Sequence, residues 1–74
     1  MSTDAQDAFA RGELHTSQGE YQKAIENYTK AIELDPNFAE AYYNRGIAYE
    51  MLGDSYKATR DYDKACELDS SLCD

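Results

Sequence analysis

The chain has 74 residues, with Asp+Glu 15 against Lys+Arg 7 and a formal net charge of −8. A chain this short forms one small domain that buries only about 60% of the surface its unfolded form exposes, so its core needs a disulfide, a metal or another chain as reinforcement. The acidic balance repels phosphate backbones and anionic lipid, which excludes nucleic acid and membrane surfaces as partners and favours a basic or apolar-basic peptide.

Residues 1–4 read as a short lead. No apolar run approaches the length of a membrane span, and the opening MSTDAQDAFARGE has neither a basic start nor an apolar signal core, which points to a soluble, cytoplasmic protein. From Ala5 onward the chain repeats itself. A shift of 34 residues superposes Arg11 on Arg45, Gly12 on Gly46, Gly19 on Gly53, Ala24 on Ala58, Tyr28 on Tyr62, Ala31 on Ala65, Leu34 on Leu68 and Asp35 on Asp69. Two units result, 5–38 and 39–72, abutting with no linker, and such a period points to a solenoid of stacked supersecondary units.

Each unit reads as two antiparallel helices. In the first, SQGE (Ser17 to Glu20) is the turn and LDPN (Leu34 to Asn37) the stop, since Pro36 cannot continue a helix interior and biases Asp35 away from helical geometry. In the second, Asn37 or a neighbour caps a helix from about Phe38 to Leu52, LGDS supplies Gly53 for a left-handed helix end, and a further helix runs from about Ser55 to Leu68. Ala24 and Ala31, and likewise Ala58 and Ala65, share one helix face, while Gly12 and Gly46 remove side chains where the antiparallel partner comes close. Tyr28, Ile32 and Leu34 in the first unit and Tyr42, Tyr49, Tyr62 and Leu68 in the second are expected to fill the remaining space. The helical spacing of the seven tyrosines favours hairpin packing over base stacking.

The run AEAYYNRGIAYEMLGDSYKATRDYDKACELD resembles a tetratricopeptide repeat, with large–Gly–Tyr spacing on its first helix and Ala–Tyr–Ala on its second. The earlier unit matches at Gly12, Tyr21, Ala24, Tyr28, Ala31 and Pro36, and departs where Ala8 replaces a large aromatic and His15 a tyrosine. The resemblance implies an all-α fold: two tandem helix-turn-helix repeats forming a right-handed α-solenoid of four antiparallel helices. It further implies a protein-interaction module without catalytic activity, whose first helices line a concave groove. By that resemblance the groove side falls on Gln6, Phe9, Glu13, Thr16 and Ser17 in the first unit, and on Glu40, Tyr43, Asn44, Ile47, Glu50 and Met51 in the second. Periodicity supports a single stripe. Its mixture of apolar residues with Glu13, Glu40 and Glu50 suits an apolar peptide carrying Lys or Arg. The same stripe could instead contact a neighbouring helix or a second copy of the chain. Capture of chaperone tails is not implied, because only Asn44 matches the cationic and amide set of that mode.

Arg11 and Arg45 stand where the family more often has leucine, and a buried charge needs a partner. Sixteen residues after each lies an acceptor on the second helix of the same hairpin, so an Arg45–Asp61 ion pair and an Arg11–Asn27 hydrogen bond are expected. His15, the single histidine, reads as a packed core or boundary residue with no carboxylate at helical ligand spacing. No CxxC, HxxxH or calcium loop occurs, so no metal or cofactor is expected. Nothing pairs a nucleophile with a base or cradles a phosphate, and an enzyme is not expected.

Cys66 and Cys73 are too few for a disulfide framework. If the last helix continued through both, their Cα atoms would stand roughly 10 Å apart, beyond disulfide span, so an internal bridge needs that helix to end first. They read as reduced thiols, with an intermolecular bridge through Cys73 as the alternative. Residues 73–74 follow the second unit, and repeat arrays usually hold three or more units. The last helix is therefore expected to show an apolar flank at Tyr62, Leu68 and Leu72, covered by self-association or by the next repeat of a longer array.

Overall fold

The computed structural model describes residues 4–73. Four helices follow one another: α1 (Ala5–Ser17), α2 (Tyr21–Leu34), α3 (Ala39–Met51) and α4 (Ser55–Leu68), with a single 3-10 turn at Ser70–Leu72. Among the described residues there is no strand. α1 packs on α2 and α3 on α4 as two hairpins, and the hairpins stack mainly through α2 against α3. The chain is thus an all-α pair of stacked helix-turn-helix units, measuring 36 × 24 × 16 Å.

Local chemistry sets the helix ends. Asp4 and Asp54 open α1 and α4 by accepting backbone N–H bonds from Asp7 (2.9 Å) and Lys57 (3.1 Å), which satisfies donors that have no partner within the helix. Gly19 and Gly53 close the inter-helix turns at φ 76° and 83°, a left-handed region that residues with a Cβ enter only at a cost. α3 departs from expectation at its start. Its cap residue is Phe38, which has no capping side chain, and the Asn37 N–H donates to Asp35 Oδ1 at 3.1 Å. Asp35 therefore folds the connection, and Asn37 does not cap the helix.

The core is built largely from alanine: Ala8, Ala24, Ala31, Ala41, Ala48, Ala58 and Ala65 are buried with Ile25 and Tyr28. Such small residues bring helix axes together, and Phe9, Ile32 and Phe38 close over Ala8, Ala31 and Ala41 where the two units meet. Of the seven large residues expected to fill the core only Tyr28 is fully buried, with Ile32, Tyr62 and Leu68 half-buried. Leu34 is 49% exposed, because α2 ends there and the extended Asp35 leads the chain away. Tyr42 and Tyr49 are only half-buried and border a surface cleft.

The cysteines overturn their expected state. Cys66 and Cys73 form a disulfide with Cα atoms 4.6 Å apart, and neither thiol is free. α4 stops at Leu68, and Asp69 is extended (φ −147°, ψ 105°). Its Oδ1 accepts from Ser71 N–H at 3.0 Å and from Ser71 Oγ at 2.7 Å, which reverses the chain and brings Cys73 back to α4. Those same bonds hold the Asp69 carboxyl below its ordinary range.

Candidate functional site

The helix α3 presents two opposite stripes, and each borders a depression. On the first-helix side, Glu13, Thr16 and Ser17 of α1, Tyr28 of α2, and Asn44 and Ile47 of α3 enclose a recess of about 250 Å³. Thr16 Oγ1 donates to the Gly12 carbonyl at 2.9 Å and lies 3.0 Å from the Tyr28 hydroxyl. Burial pushes that hydroxyl above its ordinary pKa, against the opposing effect of its bond to Thr16. The floor of the recess is thus fixed by a polar relay, while Ile47 supplies apolar contact and Glu13 negative charge.

The structure brings only part of the expected stripe together here. Glu13, Asn44 and Ile47 converge. Glu40 is exposed in the first turn of α3, and Met51 is 57% exposed at its end, each about one turn beyond the recess. Phe9 and Tyr43 are engaged elsewhere: Phe9 lies 4.8 Å from the Phe38 ring and 5.7 Å from Tyr28, and Tyr43 lies 5.3 Å from Tyr62. Glu50 accepts the Tyr62 hydroxyl. On the flank of α4, Tyr62 and Leu72 join Tyr43, Cys66 and Cys73 around a recess of about 490 Å³. Leu68 is half-buried but does not line it. The disulfide-held turn folds against α4 and covers part of that flank.

Arg45 and Asp61 form a two-pronged pair across the second hairpin, Nε donating to Oδ2 and Nη2 to Oδ1, both at 2.8 Å. Nη1 donates to Thr29 Oγ1 on α2 at 3.1 Å, which ties the two units together. The side chains are 18% and 7% exposed. The bond to Asp61 raises the Arg45 pKa against the opposing effect of burial. Among the described residues no matching contact forms in the first unit. Asn27, a neutral amide where the second unit has Asp61, donates to the Lys23 carbonyl at 3.0 Å, and Arg11 is exposed. His15 does have a carboxylate partner, Glu20 across the turn, with Nδ1 2.8 Å from Oε1. That bond holds Glu20 below its ordinary value of 4.5.

The opposite stripe of α3 was not singled out in the sequence as a site. Tyr42, Arg45 and Tyr49 form the floor of a cleft of about 560 Å³, and Lys57, Arg60 and Lys64 of α4 stand along its side. The available signal was the i, i+3, i+7 spacing of those three cations, which puts them on one helix face. Among the described residues, no group of three or more His, Cys, Asp and Glu is placed to hold a metal ion. Among the described residues no helix is long and apolar enough to cross a membrane.

Comparison with known proteins gives a consistent family. A TPR repeat model matches residues 12–53 and a tetratricopeptide repeat model matches residues 39–72. Two solved structures, described as crystal structures of MamA protein and of MamA, are each 37% identical to the chain and superpose with TM-scores of 0.83 and 0.86. Both matches cover 90% of this chain, which spans 37% and 39% of the two MamA chains. No curated protein sequence matches. With two stacked hairpins at a 34-residue period and family models matching most of its length, the chain belongs to the tetratricopeptide-repeat family.

Proposed function

We propose that the chain is a non-catalytic scaffold, built of units 5–38 and 39–72, that holds an apolar-basic peptide or partner-protein segment on its first-helix face. Tetratricopeptide repeats mediate protein–protein interaction in general, and the finer reading rests on one observation. Glu13, Thr16, Ser17, Tyr28, Asn44 and Ile47, contributed by three helices, meet in one recess. Its apolar contact at Ile47 and its acidic edge at Glu13, extended by Glu40 and Met51 beyond it, suit an aliphatic side chain next to a lysine or arginine. Glu50 and Tyr43 border that face while holding Tyr62 in place.

The test is fluorescence anisotropy with a labelled peptide of alternating leucine and lysine. Ile47→Ser and Glu13→Gln are each expected to weaken binding by about tenfold, in line with loss of one apolar or one charged contact. Binding that is undetectable, or unchanged in both variants, refutes the reading.

A second reading, a self-assembling unit whose apolar surface packs on other copies or on further repeats, is favoured by the exposure of Leu14 (56%), Met51 (57%) and Leu52 (49%). Single residues of this kind are ordinary on a surface, but with Leu34 and Tyr56 also exposed there are five among the described residues of one small chain. Light scattering across a hundredfold concentration range separates the readings: reversible growth in mass supports assembly, and a constant 8.4 kDa supports a free groove.

A further inference from the structure

The cleft on the second-helix side has a charge pattern opposite to the rest of the molecule. Four of the chain's seven basic residues, Arg45, Lys57, Arg60 and Lys64, line it against three carboxylates, in a chain of net charge −8. Two of those carboxylates are already engaged. Asp61 is held by Arg45, and Glu67 lies 3.4 Å from Lys64 Nζ in an exposed, easily exchanged pair.

The other two cations are positioned in a different way. Lys57 Nζ sits 5.6 Å from the centre of the Tyr49 ring, and the Arg60 guanidinium sits 5.9 Å from that of Tyr56. Among the described residues no carboxylate stands within ion-pair distance of either one. An aromatic face orients a cation without neutralising it. Lys57 and Arg60 are therefore partly ordered by their rings while their charge is left for a ligand, which reduces the ordering cost of binding.

We propose that this cleft docks an acidic peptide segment, with carboxylates meeting Lys57, Arg60 and Lys64 and its backbone running beside the cation-covered Tyr42 and Tyr49 side chains. The spacing fits. Successive cations on α4 are three and four residues apart, about 4.5 and 6 Å along the axis, and alternate side chains of an extended peptide repeat at about 6.6 Å. The chemistry is complementary to the acidic first-helix face, so the two faces accept partners of opposite charge. The strongly negative surround disfavours a polyanion that extends well beyond the cleft, which favours a short acidic segment over nucleic acid. Arg45 contributes structure to this site, with its guanidinium already committed to Asp61 and Thr29.

The experiment is fluorescence anisotropy with a labelled peptide of alternating glutamate and alanine at low ionic strength, where screening extends over about 30 Å at 0.01 M salt. The wild-type chain is expected to bind, and Lys57→Glu with Arg60→Glu to weaken binding at least about tenfold. The milder pair Lys57→Gln with Arg60→Gln should give an intermediate loss, and circular dichroism confirms that both pairs remain folded. Glu13→Gln, which removes a negative charge, is expected not to weaken this binding, which separates the cleft from the recess on the other face, where the same substitution weakens binding. Undetectable binding by the wild type, equal binding by the charge-reversed pair, or tighter binding of a single-stranded oligonucleotide than of the acidic peptide overturns the proposal.

Discussion

Replacing Arg45 with leucine tests how the two hairpins are held. The substitution leaves Asp61, 5% exposed, without its two donors, and strips Thr29 of its contact from α3. Breaking a fully buried pair costs about 3–5 kcal/mol, because the remaining charge is desolvated and uncompensated. Here the Arg45 side chain keeps 18% exposure and its cleft admits water, so the expected loss is about 2–3 kcal/mol. In a domain of this size each kcal/mol moves Tm by about 4–8 °C, giving a fall of roughly 10–20 °C. Arg45→Leu combined with Asp61→Leu should recover most of that loss, since an apolar pair removes the orphaned charge. The assay is thermal unfolding by circular dichroism of wild type, both single variants and the double variant, read as a thermodynamic cycle. An Arg45→Leu Tm equal to or above wild type, or additive single effects, refutes the reasoning.

Three further outcomes are expected. A Cβ added at Gly12 would stand 2.6 Å from Cδ1 and 2.9 Å from Cζ of the buried Tyr28 ring, so Gly12→Ala should cost about 1–3 kcal/mol by overpacking and Tyr28→Leu on the same chain should relieve part of it. Gly46→Ala should cost less, because its Cβ would stand farther from the facing ring, 2.8 and 3.0 Å from Cε1 and Cδ1 of Tyr62, though it would also press on the Ala58 carbonyl oxygen at 3.2 Å; unfolding midpoints check both. For Glu20, whose folded pKa lies below 4.5 through its bond to His15, the stabilisation is present above 4.5 and is lost as pH falls through the lower folded value; carbonyl NMR titration should show His15→Ala moving Glu20 back toward 4.5. Cys66 and Cys73 are seven residues apart, and closing so short a ring restricts the unfolded chain by about 2–3 kcal/mol, so Cys73→Ser should lower Tm by roughly 10–20 °C, and an unchanged Tm on reduction would contradict it.

What the sequence made legible follows from what is local or periodic. Gly19 and Gly53 end helices through their own backbone freedom, and Ala24, Tyr28 and Ala31 bury one face by helical spacing, so the hairpins are readable without any tertiary information. The facing of Arg45 and Asp61 is also periodic, since a 16-residue offset spans a fixed helix-turn-helix. Contacts made around a turn escape that logic. His15 meets Glu20 five residues on, where helical spacing no longer applies, and Cys66 meets Cys73 only because Asp69 reverses the chain. The cation-lined cleft was hidden for another reason: Tyr42 and Tyr49 sit at spacings that packing also requires, and only the structure shows their outer faces turned to Arg45 and Lys57.

The 34-residue frame also accounts for the turn after α4. In the first unit Phe9, Tyr28 and Phe38 form one ring cluster, and Phe38 is the residue from which α3 starts. Shifting by one period gives Tyr43, Tyr62 and Leu72, which border a common recess. The turns that precede them correspond as well: Asp35 accepts the Asn37 N–H as Asp69 accepts the Ser71 N–H, with φ of −142° and −147°. The disulfide then joins the counterparts of Ile32 and Ala39, that is, the last turn of one helix and the first residue of the next. In the first unit, the whole of α3 packs behind Phe38 and holds that turn in place. After α4 the described turn has three residues, and a half-buried leucine contributes only about 1 kcal/mol, less than the roughly 1–2 kcal/mol per residue needed to order the backbone. The covalent bond offsets that deficit by restricting the unfolded segment, so Cys66 and Cys73 do for Leu72 what helix α3 does for Phe38.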